Sequence, residues 1–261
     1  MKKLAKSLGE PFLEGDLANY QNLSAYLQQQ VKSLSDGQLF SLQFDSEIPI
    51  ILTYTQLWHR ATCILGGMRK KGVKPGQFII VILDECQDFV AVLWSCWLGG
   101  FVPIPIRFSS NHSQPNLAKL RIKTVFQIIS QPVVLTTEKL AKILEKDELW
   151  QYKSSLIYLE EVETAYSDEN FYQSNPEDLG ALFFSSGTTG KAKLVSLSCQ
   201  AIVNRLIQDQ PLNPETITSL FWLPLDHASA SLRIANPNVQ NKIFLPTSAF
   251  FTQSFALVRC H

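Results

Sequence analysis

From about residue 50 onward the sequence alternates short β-rich apolar runs with stretches of helical period, and this alternation allows few folds. It is the pattern of βα units and a mostly parallel sheet, an α/β architecture. The fully apolar run Phe78 to Leu83, entered through Lys74-Pro75-Gly76 and closed by Asp84 and Glu85, reads as a central strand buried on both faces. Before it, Leu57, Ala61, Ile64, Leu65 and Met68 share one helical face. Thr53 or Thr55 is positioned to cap that helix, and Gly72 follows its basic last turn of Arg69, Lys70 and Lys71. The uncharged run Phe89 to Ile106 just reaches membrane-spanning length, but Gly99, Gly100, Pro103 and Pro105 break it. It therefore reads as a buried helix, Phe89 to Leu98, and an extended piece, Phe101 to Ile106.

Further strands are expected at Val133 to Leu135, Leu156 to Leu159, Leu179 to Phe184 and Ile217 to Leu223. Helices are expected near Leu117 to Ile129, Glu138 to Leu144 and Ala201 to Gln208. Upstream, Leu17 to Val31 reads as helix and Leu39 to Phe44 as strand. Lys+Arg 23 against Asp+Glu 23 balance, so no global positive field draws the chain onto nucleic acid or an anionic membrane. Five widely spaced cysteines without a Cys-x-x-Cys pair suggest reduced, buried thiols rather than zinc ligands or a disulfide framework. With no apolar stretch after Lys2, Lys3 and Lys6 to serve as a secretory signal, a cytoplasmic protein is expected.

The segment with the most chemistry is Ser185-Ser186-Gly187-Thr188-Thr189-Gly190-Lys191-Ala192-Lys193, directly after the run Leu179 to Phe184. Its glycines let backbone N–H groups turn inward, its four hydroxyls can donate to phosphate oxygens, and Lys191 and Lys193 add positive charge. A loop of this kind suits a polyphosphate; the plainer alternative is a polar strand-to-helix connection. It is not a Walker A loop, because Ser185 stands where the first Gly belongs and Ala192 where Ser or Thr should follow the lysine. Gly187 and Gly190 have no glycine partner two residues upstream, so the dinucleotide fingerprint is also absent.

These residues resemble the phosphate loop Ser-Gly-Thr-Thr-Gly-x-Pro-Lys-Gly of the adenylate-forming enzymes: acyl-CoA synthetases, fatty-acyl-AMP ligases and peptide-synthetase or polyketide-type adenylation domains. Ser186, Gly187, Thr188, Thr189, Gly190 and Lys193 match position by position, whereas Ala192 and Leu194 replace the family's Pro and Gly. The likeness extends to Leu52-Thr53-Tyr54-Thr55-Gln56-Leu57, Gly72-Val73-Lys74-Pro75-Gly76, the segment Trp97 to Pro105, and Phe221-Trp222-Leu223-Pro224-Leu225-Asp226-His227. It implies the first half of that family's large N-terminal domain. It also implies that Ser185 to Lys193 grip the β- and γ-phosphates of ATP, with Mg²⁺ as cofactor, and that His227 lies beside the substrate pocket. In such enzymes a carboxylate attacks the α-phosphate, giving an acyl adenylate and pyrophosphate, after which CoA or a carrier-protein thiol can take the acyl group.

The family's aromatic-Gly-x-Thr-Glu element, ribose-binding Asp and C-terminal catalytic Lys have no match between Ala228 and His261. Residues 1–227 are therefore expected to be the family portion, and 228–261 an atypical tail, frameshifted or truncated, without a helical period. Three readings stay open. The chain is part of an acyl-adenylate-forming ligase, inactive alone or completed by a complementary C-terminal polypeptide; or it is a noncatalytic remnant that binds a partner or carrier protein; or it is an unrelated kinase or ATPase. For Trp94 and Trp97 core packing is expected, for His59 and His112 a surface position, and for Cys199 burial at the start of a helix.

Overall fold

The computed structural model describes residues 22–34, 37–41, 49–108, 117–145, 155–163, 166–185, 193–209, 218–237 and 241–244. In chain order these are α1 (Leu23–Ser33), β1 (Gln38–Ser41), β2 (Ile50–Thr53), α2 (Tyr54–Lys70), β3 (Phe78–Ile82), α3 (Cys86–Gly99), β4 (Val102–Pro105), α4 (Leu117–Ile128) and β5 (Val133–Thr136). There follow α5 (Glu138–Glu145), β6 (Leu156–Tyr158), α6 (Leu159–Val162), β7 (Leu179–Ser185), β8 (Lys193–Ser198), α7 (Cys199–Gln208), β9 (Thr218–Phe221), α8 (Ala228–Ala235) and β10 (Asn241–Phe244).

Three sheets form. The first is entirely parallel, in the order β4-β3-β5-β6, with β3 in its interior. The second is mixed, β2-β1-β10-β9, with β1 antiparallel to β2 but parallel to β10, which in turn runs parallel to β9. The third is the antiparallel pair β7-β8. Strand β7 lies beside β4 without joining its sheet, and two prolines give the reason. The N–H groups of Val102 and Ile106 donate to Gln77 and Val81 on the β3 side, so alternate positions Pro103 and Pro105 face the other way. A proline offers no donor there, and the parallel sheet ends at β4.

Helix α2 begins at Thr53, which settles the choice between the two threonines. The Thr53 hydroxyl accepts from the Gln56 backbone N–H at 3.1 Å and the Gln56 side chain accepts from the Thr53 N–H at 2.8 Å, a capping box. Helix α3 is apolar around nearly its whole circumference, because it is enclosed on every side. It ends where Gly100 turns left-handed, at φ 69°, with the Tyr172 ring packed against it. Trp94 and Trp97 fill the core, and their indole N–H groups donate to the carbonyls of Ala235 at 2.8 Å and Gly180 at 3.1 Å.

The sequence expectation fails in two places. Lys193–Ser198 is a strand, so the polar loop joins two strands of a hairpin and not a strand to a helix. The run after His227, expected to lack a period, contains helix α8, with Ala230, Leu232, Ile234 and Ala235 buried. It also contains β10, an interior strand of the mixed sheet. This is visible only in three dimensions, because the apolar positions of α8 are covered by α3 and α7, which come from far earlier in the chain.

Candidate nucleotide and acyl site

The β7-β8 hairpin sets the ends of the polar loop. Ser185 pairs with Lys193 across it, and the Ser185 hydroxyl donates to the Lys193 carbonyl at 3.3 Å. Lys193 is exposed and Ser185 half-buried. Ser186, Gly187, Thr188, Thr189, Gly190 and Lys191 lie outside the described residues. At the far end of the hairpin Leu179 pairs with Ser198, and α7 starts at Cys199. A strand of this length separates the loop from that helix N-terminus by roughly 20 Å, so the α7 dipole is not aimed at the loop.

His227 is exposed and stands immediately before α8, with its imidazole not engaged in capping the helix. The turn that carries it is held tightly. The His227 N–H donates to the Pro224 carbonyl at 3.0 Å, and the His227 carbonyl accepts from the N–H and hydroxyl of Ser231 at 2.9 and 3.1 Å. The Ser231 hydroxyl also donates to the Leu225 carbonyl. Trp222 and Leu223, just upstream, are exposed apolar residues.

Sequence reasoning missed Arg121, on α4. Its Nη1 donates to the Asp226 carboxylate at 2.5 Å, and its guanidinium lies 5.2 Å from the centroid of the Phe184 ring. Phe184 directly precedes the loop and Asp226 directly precedes His227, so one arginine touches the neighbour of each predicted site. Nothing in the local pattern of α4 distinguishes Arg121 from the nearby Lys119 and Lys123. Both partners of the pair are mostly buried, with side chains 15% and 12% exposed, and the Arg121 Nε is buried without a hydrogen-bond partner among the described residues.

Of the other sequence candidates, His59 and Cys199 stand as expected. His59 is exposed, 3.7 Å from the Cys63 sulfur, whereas His112 lies outside the described residues. Cys199 is buried, and burial raises its thiol pKa, so the helix N-terminus does not make it a thiolate. A cavity of about 200 Å³ opens near Trp97, Gly100, Tyr172, Ser174, Asp178 and Cys199, at the end of β7 opposite the loop. Among the described residues no cluster of three His, Cys, Asp or Glu could hold a metal, and no helix is long and apolar enough to cross a membrane.

Comparison with known proteins gives this geometry a family. The chain is 27% identical over 188 residues to the inactive atromentin synthetase invA6 of Paxillus involutus, covering 70% of this chain and 19% of that protein. It is 30% identical over 177 residues to the atromentin synthetase greA of Suillus grevillei, covering 64% of this chain and 18% of that protein. The solved structure of McyG A-PCP complexed with phenylalanyl-adenylate is 27% identical, with a TM-score of 0.76, over 90% of this chain and 38% of that one. A fatty acyl-adenylate ligase from L. pneumophila in complex with acyl adenylate and pyrophosphate shares the fold, with 22% identity and a TM-score of 0.72 over 92% of this chain and 42% of that one. This chain thus spans about a fifth of those curated relatives and about two fifths of those solved chains. The model of the AMP-binding enzyme family matches residues 41–237, running past His227 into α8, and the chain belongs to that family.

Proposed function

We propose that this chain supplies the phosphate-gripping part of an acyl-adenylate-forming ligase. The hairpin that presents Ser185 and Lys193 at the two ends of a donor-rich loop carries the reading. In the reaction a substrate carboxylate oxygen bonds to the α-phosphorus of ATP, and the bond from that phosphorus to the β-phosphate bridging oxygen breaks, releasing pyrophosphate. Charge gathers on the departing phosphates as that bond breaks, and the loop hydroxyls, its backbone N–H groups and Lys193 neutralise it. His227, exposed on a turn fixed by Ser231, stands on the acyl side.

Mg²⁺ would add further charge neutralisation on the phosphates. The described residues offer no cluster of three acidic, His or Cys side chains to hold it, so groups outside them and the nucleotide would supply its ligands. The ribose-binding Asp, the Mg²⁺-side Glu and the catalytic Lys of the family have no counterpart after Ala228, so these residues alone bind without turning over. Groups beyond these residues, on the same or on a complementary polypeptide, complete the site, and CoA or a carrier-protein thiol accepts the acyl group. The four described cysteines are free and buried, which supports a reducing compartment such as the cytoplasm.

The test is titration calorimetry of the 261-residue chain with ATP and with pyrophosphate, Mg²⁺ present, beside Lys193→Ala. Binding is expected to weaken by about tenfold in the variant, as for loss of one charge-assisted contact. Equal heats would remove the loop from the account. Carboxylate-dependent ATP-pyrophosphate exchange by the isolated chain is expected at background, across fatty and aryl acids. Clear exchange would show that the missing catalytic groups have been misplaced.

A further inference from the structure

The cavity at the start of β7 lies where several separate segments meet, and its walls are tied in place. Gly100 ends α3, and its carbonyl accepts from the Gly76 N–H at 2.7 Å. The Tyr172 N–H donates to the Leu98 carbonyl at 2.8 Å, and the Ser24 hydroxyl donates to the Tyr172 carbonyl at 2.9 Å. The indole N–H of Trp97 is taken by Gly180, so its ring forms wall and offers no donor. A side chain at Gly100 is excluded, because a Cβ there would come within 2.4 Å of the Tyr172 ring. A cavity built this way is formed before any ligand arrives.

Its lining is one-sided in charge. Trp97, Phe101 and Tyr172 supply aromatic surface, and Asp178 is the one carboxylate among the described lining residues, with no Lys, Arg or His to oppose it. The Asp178 Oδ2 accepts from the Asn175 N–H at 2.8 Å and from the Tyr172 hydroxyl at 3.1 Å, whereas Oδ1 has no hydrogen bond among the described residues. The Ser174 hydroxyl is engaged by the Leu23 N–H and the Cys199 thiol. An anion would need donors, and the first N–H groups of α7 are already taken. Cys199 donates to the Asp178 carbonyl at 2.8 Å, Gln200 to the Pro176 carbonyl at 3.0 Å and Ala201 to the Ser198 hydroxyl at 3.2 Å. The carboxyl end of α3, at Gly100, adds negative potential. A carboxylate beside aromatic faces favours an organic cation. An apolar cavity of about 150 Å³ holds benzene, so about 200 Å³ admits one ring with a short arm.

We propose that this cavity binds a small arylalkyl ammonium ion, with its ring against Trp97 and Phe101 and its N–H groups on Asp178. The site does not depend on the phosphate-binding role given above to the polar loop. Leu179 and Gly180 line it at one end of β7, and the loop follows Ser185 at the other.

Three probes with the same ring separate charge from shape: 2-phenylethylamine, the anion 3-phenylpropanoate and uncharged ethylbenzene. Each is titrated into the full chain at neutral pH, followed by calorimetry and by the five indole N–H signals, with Trp97 assigned through its contact with Gly180. Saturable one-to-one binding of the amine with movement of the Trp97 signal is expected, and the other two probes are expected to bind more weakly by about tenfold or more. In Asp178→Asn, which keeps an oxygen for Asn175 and Tyr172, the affinity for the amine falls by about tenfold. Cys199→Met, which fills part of the cavity, abolishes binding.

No saturable binding of the amine, or binding that leaves the Trp97 signal in place, would overturn the site. So would 3-phenylpropanoate or ethylbenzene binding as tightly as the amine, a comparison made on the unmodified chain and therefore indifferent to whether either variant folds. Undiminished affinity in a natively folded Asp178→Asn would remove the carboxylate and the cation with it.

Discussion

The parallel sheet and the mixed sheet differ in how far the chain must travel to build them. In the parallel sheet β3, β4, β5 and β6 all come from residues 78–158, and each strand is followed or preceded by a helix of its own βα unit. In the mixed sheet β1, at residues 38–41, pairs with β10 at residues 241–244, and the register Gln38↔Asn241 joins opposite ends of the chain. The first can form from local alternation; the second exists only after the rest has folded. The mixed sheet also holds the less ordinary interior. Lys242, fully buried on β10, donates to the carbonyls of Ile234 and Asn236 and lies 5.1 Å from the Tyr54 ring centroid. The parallel sheet is lined by Ile80, Ile82, Val102, Ile104 and Val134. Non-local assembly leaves room for a polar tie that a local apolar pattern would not select.

The strongest way to break this comparison is at the junction of the two regions. Trp94→Ala removes a wholly buried side chain from α3 and the 2.8 Å bond to Ala235 at the end of α8. A loss of about 3–5 kcal/mol in unfolding free energy is expected. Hydrogen exchange should show β10 and β9 losing protection before β3 and β5. Simultaneous loss in both sheets would mean that they form one cooperative unit and that the distinction has no energetic content.

A smaller effect tests the polar tie. Burial pushes the Lys242 amine down to about 7, partly offset by Cys86 nearby. A neutral amine still has the two N–H donors that the two carbonyls require. The unfolded chain then holds this proton up to a much higher pH than the folded one, so stability rises with pH above about 7 and falls again as pH drops back through it. Between pH 7 and 8 the gain is on the order of 1 kcal/mol, and in Lys242→Met that slope is expected to vanish. The window stops near 8 because burial raises the thiols of Cys86 and Cys96, and unfolded thiols, ordinarily at about 8.5, ionise beyond it and oppose the gain. Denaturant titrations at three pH values decide it, and an unchanged slope in the variant would assign the pH dependence elsewhere.

The smallest effect separates two neighbouring threonines. Thr53→Ala removes the capping box at the junction of β2 and α2 and should cost about 1 kcal/mol, whereas exposed Thr55→Ala should stay within about 0.5 kcal/mol. Equal costs, read from thermal midpoints, would mean that the box is not what fixes the start of α2.

Much of this was readable in advance, for identifiable reasons. The apolar run at β3 and the helical face of α2 are set within a few turns of chain, and the breaks at Gly99, Gly100, Pro103 and Pro105 separate α3 from β4 as their backbone chemistry requires. Strand β8 was not legible, because Lys193–Ser198 mixes exposed and half-buried positions and its strand character comes from pairing with β7. Helix α8 was obscured by its serines. Ser231 satisfies its hydroxyl on the carbonyls of Leu225 and His227, so it is buried at 0% exposure without contradicting the core around it.

The candidate site divides in the same way. The order of hydroxyls, glycines and lysines from Ser185 to Lys193 is a property of the sequence, as is its likeness to an AMP-binding family. The sequence could determine these because backbone freedom at glycine and the donors of Ser, Thr and Lys act over a few bonds. That the loop closes a hairpin, that α7 begins too far away to lend its dipole, and that Arg121 stands between Phe184 and Asp226 were decided by tertiary structure alone. Each of those facts depends on through-space contacts between segments distant in sequence, for which the chain carries no local record.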